Sequence, residues 1–491
     1  MRLAEQRVPQ IKQLRILLAI FGFLIYPATE EVHAQSLKVR VIVTSLSPAR
    51  VLVESEGPLA DTWSFRNIYA GIPRLGYRVE GFKVAAASGE TVSVRNLAPG
   101  EFRSSKEVST FGYEIQLEER SRLTELSHVS WINQERGFLM LADLLPRLGR
   151  ESLVPSPVTI EFKLPPGWTV ASALLPDKNQ QYTVANIDST VFYIGRELRE
   201  TRVRVDSMDL ALVTSGDWAF ADRDALKIAG KIVKEHSKLT RHRLYGRSVV
   251  LLAPFNGVVG PERWTADTRG ASVVLLLGRN ASARALLAKL GVVLAHELFH
   301  LWVPNRLALD GDYDWFFEGF TLYQALLTCL RLNLIKFDDY LDTMARVYDS
   351  YRSQPDHDRL SLIEASERRW TATPSFVYDK GMLVAFIHDL MLRHLTRNGT
   401  SGADIYPQLF RTGATVPGNA NEVIMSILNR PPGMNQFFER YVQNPGDIAL
   451  DATLAPYGFR VETKDFRTRI LINKELTVEQ GRLLRSLGYQ G

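Results

Sequence analysis

A chain of 491 residues is longer than a single hydrophobic core supports, and at roughly 100 to 200 residues per domain it divides into about three units. Hydrophobic residues at 45% and charged residues at 23% are those of an ordinary globular protein. The 59 Lys and Arg against 54 Asp and Glu are spread along the chain without a long basic run, so the net charge of +5 is a weak bias and not a nucleic-acid footprint. The single cysteine, Cys329, excludes an intramolecular disulfide, which leaves core burial and metal to provide stability.

Residues 1–34 read as a secretory signal. Arg2, Arg7, Lys12 and Arg15 precede an apolar run over 16–25 that is short for a bilayer span, and Val32-His33-Ala34 offers a small-residue cleavage site. An uncleaved N-terminal anchor is the alternative; both readings predict a chain exported to the periplasm or secreted.

From 35 to 219 the sequence predicts an all-β domain. Short β-branched and aromatic runs at 37–44, 51–54, 91–94, 111–117, 158–162, 191–194 and 210–214 alternate with breakers such as Ala98-Pro99-Gly100 and Pro165-Pro166-Gly167. Over 220–335 a helical stretch at 223–236, a strand-like 248–253, a Gly/Pro loop at 256–261 and a second apolar run at 272–277 mark an α+β unit. Helices then dominate the segment 336–465, and 466–491 reads as an irregular tail.

Apolar residues Leu287, Leu290, Leu294, Leu298 and Leu301 recur every three to four positions, which predicts an amphipathic helix over 283–302 with Ser282 as its N-cap. Within it stands His296-Glu297-Leu298-Phe299-His300. Side chains four apart share one helix face, so both imidazoles can reach one cation, while Glu297 sits beside that face, able to hold water without ligating. A catalytic zinc needs a third protein ligand. Glu318 is the candidate, on a following helix that Asp314 is expected to cap, because it shares a face with Leu322 and Ala325. A carboxylate among apolar neighbours is costly unless paired or bound to metal.

This pattern, with Glu318 eighteen residues after His300 and Glu318-Gly319-Phe320-Thr321 around it, resembles the gluzincin peptidases, the clan of aminopeptidase N and thermolysin-like zinc enzymes. Finer text resembles the glycyl aminopeptidase family: Leu301-Trp302 after the second histidine, Arg306, Trp315-Phe316-Phe317 before the glutamate, Tyr378-Asp379-Lys380-Gly381, Asp389-Leu390 with Arg393, Phe437-Phe438-Glu439-Arg440-Tyr441 and Tyr457-Gly458-Phe459.

The resemblance implies a multidomain α+β architecture: an N-terminal β domain, a thermolysin-like catalytic domain and a helical C-terminal domain. It implies one catalytic Zn2+ on His296, His300 and Glu318, peptide substrates, and no cofactor beyond the metal. Glu297 would act as general base, and Tyr378 would donate to the tetrahedral oxyanion, a role assigned to it by the resemblance alone. The family's amine-binding glutamate has its counterpart in Glu262, 34 residues before His296, although the flanking residues differ. The 31 residues after Arg460 are too few for the PDZ-like domain that members often carry. A zinc aminopeptidase is the favoured function; the alternatives are an endopeptidase of the same fold and a catalytically silent peptide-binding scaffold.

Overall fold

Alternation of buried and exposed side chains builds the first sheet. Leu37, Val39 and Val41 point inward from β1 (Leu37–Leu46), and Val51, Val53 and Ser55 from β2 (Ala49–Ser64). With β3 (Val79–Ala85), β4 (Glu101–Gln116) and β5 (Val158–Lys163) they form the long strands of a nine-stranded sheet. Among the described residues, its long strands pair antiparallel except for β1 with β5, which is parallel. The computed structural model describes residues 36–490 apart from 152, 155–156, 371–374 and 413–417, so the predicted signal lies outside the described residues.

A four-stranded antiparallel sheet around Val191–Arg196 faces two cores at once. Phe192 and Ile194 join the core of the first sheet, whereas Val191 and Tyr193 join the one beneath the next. That next sheet contains β6 (Arg199–Val205), β7 (Met208–Thr214), β8 (Gly246–Pro254), β9 (Trp264–Arg269) and β10 (Ser272–Leu277), in the order β6-β7-β8-β10-β9. Its centre is parallel and both edges are antiparallel. The central strands are apolar on both faces: Leu210 and Leu212 of β7 pack toward helices, Ala211 and Val213 toward the four-stranded sheet. Although β6 and β7 precede residue 220, β7 pairs in parallel with β8, so the sheet of the α+β unit starts at Arg199. A strand belongs where its hydrogen-bonded partner lies, and local sequence does not name that partner.

The helical face of this sheet carries α1 (Asp222–Thr240) and α2 (Ala283–Glu297). Beyond them α3 (Thr321–Arg331), α4 (Phe337–Arg352), α5 (Leu362–Glu367) and α6 (Phe376–Leu395) share the same continuous core. The expected tail is ordered: Phe459–Lys464 and Arg467–Ile472 form a hairpin and Val478–Leu487 a helix whose Leu483, Leu484 and Leu487 enter that core. Cys329 is buried, as a small hydrophobe would be.

Two glycines fix where the Glu318 segment crosses α6. A Cβ on Gly319 would lie 2.5 Å from the Gly381 backbone, and one on Gly381 would lie 2.5 Å from the Trp315 carbonyl oxygen, both inside the range a side chain tolerates. A second brace lies one turn further on, where the Tyr323 hydroxyl of α3 donates to Asp389 Oδ2 of α6 at 2.7 Å and Arg393 Nε donates to the same oxygen at 3.0 Å.

Alanine is the better helix former by about 1 kcal/mol, so the crossing reverses the usual sign. Gly381→Ala is expected to lose about 1–3 kcal/mol by overpacking. Gly230→Ala in α1, where the added carbon meets only ordinary contacts at 3.5 and 3.6 Å, is expected to stabilise. Chemical denaturation of the two variants reads both signs.

Candidate active site

Ser282 caps α2 as expected, its hydroxyl accepting from Ala285 N at 3.2 Å. The α-helix stops at Glu297 and continues as a 3-10 turn, Leu298–Leu301, that carries His300. From α1, buried His236 donates through Nε2 to Ala295 O at 2.9 Å and so ties down the last turn of α2. Burial lowers the pKa of His236 to about 3, which keeps it neutral for that role.

Glu318 sits in a π-helical segment, Trp315–Phe320, that runs into α3. Asp314 makes no side-chain cap there; its carboxylate is instead taken by Arg369. The outcome is a close trio: His296 Nε2 to His300 Nε2 3.1 Å, His296 Nε2 to Glu318 Oε2 3.3 Å, and His300 Nε2 to Glu318 Oε2 3.4 Å. All three side chains are buried.

A tetrahedral ion with ligands at about 2.0–2.1 Å has edges of about 3.3–3.4 Å, so these separations match three edges of one tetrahedron. Two further observations fit. His300 Nδ1 is engaged with Val303 O at 2.8 Å, which turns the Nε2 lone pair toward the trio, and buried Glu318 Oε2 has no hydrogen-bond partner. Among the described residues this is the group of histidine and acidic side chains arranged to hold a metal ion.

Glu297 stands beside the trio, its Oε1 4.0 Å from His296 Nε2. Its other oxygen, Oε2, lies 2.7 Å from the hydroxyl of Thr268 on β9, which can donate to it or to Glu297 O at 3.0 Å. Tyr378, near the start of α6, lines the same cavity of about 220 Å3, together with Tyr69, His128, Asp267, Phe317, Arg369 and Trp370. Burial, then the negative charge of Glu318, holds the Tyr378 pKa well above its ordinary value, so the phenol keeps its proton.

Glu262 is not brought into this cavity. It is exposed and paired with Lys289 at 2.8 Å, on the rim of a separate cavity of about 310 Å3 that touches His296 from the other side. Besides Glu297 and Glu318, the cavity is lined by the carboxylate of Asp267 on β9. Burial opposes its charge, but Arg269 Nε at 2.8 Å and His128 Nδ1 at 3.3 Å hold its pKa below the ordinary carboxylate range.

The chain is similar to known proteins along most of its length. The model described as M61 glycyl aminopeptidase matches residues 289–384, and the M61 N-terminal domain model matches residues 73–191. An aminopeptidase N family protein from Idiomarina loihiensis superposes with a TM-score of 0.76 at 19% identity, over 87% of this chain and 79% of its own. An M1 zinc metallopeptidase from Deinococcus radiodurans gives a TM-score of 0.53 at 15% identity, over 85% of this chain and 94% of its own. The fold and the buried His-His-Glu trio define a zinc metallopeptidase of the gluzincin type. Its catalytic and N-terminal segments thus match, in chain order, the M61 glycyl aminopeptidase model and the M61 N-terminal domain model, so the chain is similar to that family in both segments.

The metal-free trio makes a proton-linked prediction. Burial works against charge on His300, yet Glu318 and then Glu297 raise its pKa to about 9. A proton must therefore leave before Nε2 can ligate, so zinc affinity should climb with pH and level off above about 9. Calorimetric titration at pH 7 in buffers of different ionisation enthalpy should show about one proton released per zinc; heats independent of buffer would contradict the assignment.

Proposed function

We propose that this zinc metallopeptidase is an aminopeptidase in which Glu297 is the general base, Tyr378 the oxyanion donor and Asp267 the anchor for the substrate's amine. The observation that carries the reading is the tetrahedral spacing of His296, His300 and Glu318, with Glu297 beside them in one cavity. Zinc, when bound, supplies Lewis acidity toward the scissile carbonyl and toward water.

The chain's own groups do the rest. Among the described residues β9 is a sheet edge, so its outer backbone groups can pair with an extended peptide laid along Ala266, Asp267 and Thr268. Thr268 holds one oxygen of Glu297 and leaves the other to accept a proton from water and deliver it to the leaving amine. Tyr378, kept protonated, donates to the oxyanion that develops as the carbonyl becomes tetrahedral.

Exopeptidase action requires an anion that meets a free amine within about one residue of the scissile bond. Asp267 lines the ligand cavity and stays ionised, whereas Glu262 faces solvent against Lys289. Export belongs to the same proposal: it is supported by the basic, apolar and small-residue succession of residues 1–34.

Three measurements test this. Glu297→Gln should keep zinc while kcat falls by about 10²–10⁴, and unchanged hydrolysis would remove Glu297 from the mechanism. Asp267→Asn should raise KM for free peptides about tenfold or more, with Glu262→Gln close to wild type; the reverse ranking would move the amine site to Glu262. N-acetylated peptides should resist cleavage, and equal cleavage of acetylated and free peptides would establish an endopeptidase.

A further inference from the structure

One buried cation in the cavity has no part in the chemistry described so far. Arg369 lies just beyond α5, on none of the elements that carry the metal ligands, and is 7% exposed. Its Nη2 donates to Glu318 Oε1 at 2.9 Å, the oxygen turned away from the imidazoles. The same Nη2 donates to Tyr378 Oη, and Nη1 donates to Asp314 Oδ1. The guanidinium stacks near the Trp370 ring, 4.4 Å from its centroid, and lies 4.9 Å from that of Tyr378.

We propose that Arg369 is a positioning residue that presents the Glu318 carboxylate to the metal through one oxygen and sets the Tyr378 hydroxyl as a donor. The two effects have one chemical origin. A carboxylate offered freely can turn or bind through both oxygens; with Oε1 held by Arg369, Oε2 is the oxygen left 3.3 and 3.4 Å from the two imidazole nitrogens. A guanidinium has donors and no acceptor, so Tyr378 Oη must accept from it and its own proton remains to be given away. Asp314 anchors the far side of the fork and holds the planar group in register with both clients. A lysine carries the same charge but not the fork, and its single ammonium cannot reproduce three fixed directions.

The Tyr378 half rests on the peptidase reading above; the Glu318 half concerns metal affinity and stands apart from it. The test begins with the zinc Kd of the wild type, Arg369→Lys and Arg369→Met, measured by competition with a chromophoric chelator. Removing a group that orients a metal ligand typically weakens binding about 10- to 100-fold, which is the loss expected for Arg369→Met, with Arg369→Lys between it and wild type. Melting curves of the metal-free variants accompany the titration. If Arg369→Met fails to fold, Arg369→Lys, which keeps charge and most of the volume, decides alone: folded protein with wild-type zinc affinity overturns the Glu318 half.

For the Tyr378 half, kcat of Arg369→Lys should fall with KM little moved, and the fall should shrink in a Tyr378→Phe background, where the hydroxyl is gone. An equal fall in both backgrounds overturns that half. Should the wild type hydrolyse no peptide, the functional reading fails while the zinc Kd series still judges Arg369.

Discussion

The segment bearing Glu318 and the helix bearing Tyr378 can approach as closely as they do because neither has a side chain at the crossing. Gly319 and Gly381 meet backbone to backbone, and the Tyr323–Asp389–Arg393 bonds lock the same pair of elements a turn away. Residues within about one helical turn of these glycines inherit a fixed place: Glu318 precedes Gly319, and Tyr378 lies three residues before Gly381. The proposed third ligand and the proposed oxyanion donor thus derive from one packing constraint, while His296 comes from α2 and His300 from the 3-10 turn that follows it.

The cavity concentrates charge that a protein interior otherwise avoids. Asp314 and Glu318 are buried against Arg369, Glu297 is buried beside His296, and a divalent ion brings the formal charges of these four side chains, the histidine aside, to neutrality. Buried ions are tolerated when each finds a partner, and here the partners are directional: Thr268 on Glu297, the Arg369 fork on Asp314 and Glu318. Glu318 Oε2, an acceptor left without a hydrogen-bond partner, faces the two imidazole nitrogens. Paired charges around a carboxylate oxygen left open toward two imidazoles are what a metal site looks like before the metal is counted.

Legibility in the sequence followed the range of the interaction. His296, Glu297 and His300 were readable because helical periodicity alone puts them together, even though the last of them sits on a 3-10 turn. Glu318 was readable as a carboxylate among apolar neighbours, but the π-helical segment that aims it was not, since its register depends on the contact with α6. Tyr378 came only through family resemblance, one tyrosine among 17. Thr268, Asp267 and Arg369 were invisible. The first two lie on an edge strand whose place is set by its pairing with β10, and Arg369 follows Arg368 in a run that reads as a solvated charged turn. Glu262 matches by its separation from His296 along the chain, and that separation does not fix which side of a helix a loop reaches. In the same way local sequence places the hairpin of β6 and β7 with the β domain, whereas its parallel partner, β8, belongs to the next sheet.

X-ray absorption at the zinc edge of the metal-loaded protein tests the central claim most directly. The account predicts one zinc per chain with a first shell of two imidazole nitrogens and oxygen ligands at about 2.0–2.1 Å, with the oxygen from protein supplied by Glu318 and lost as a ligand in Glu318→Ala. Sub-stoichiometric metal, or a shell with fewer than two imidazoles, would contradict it.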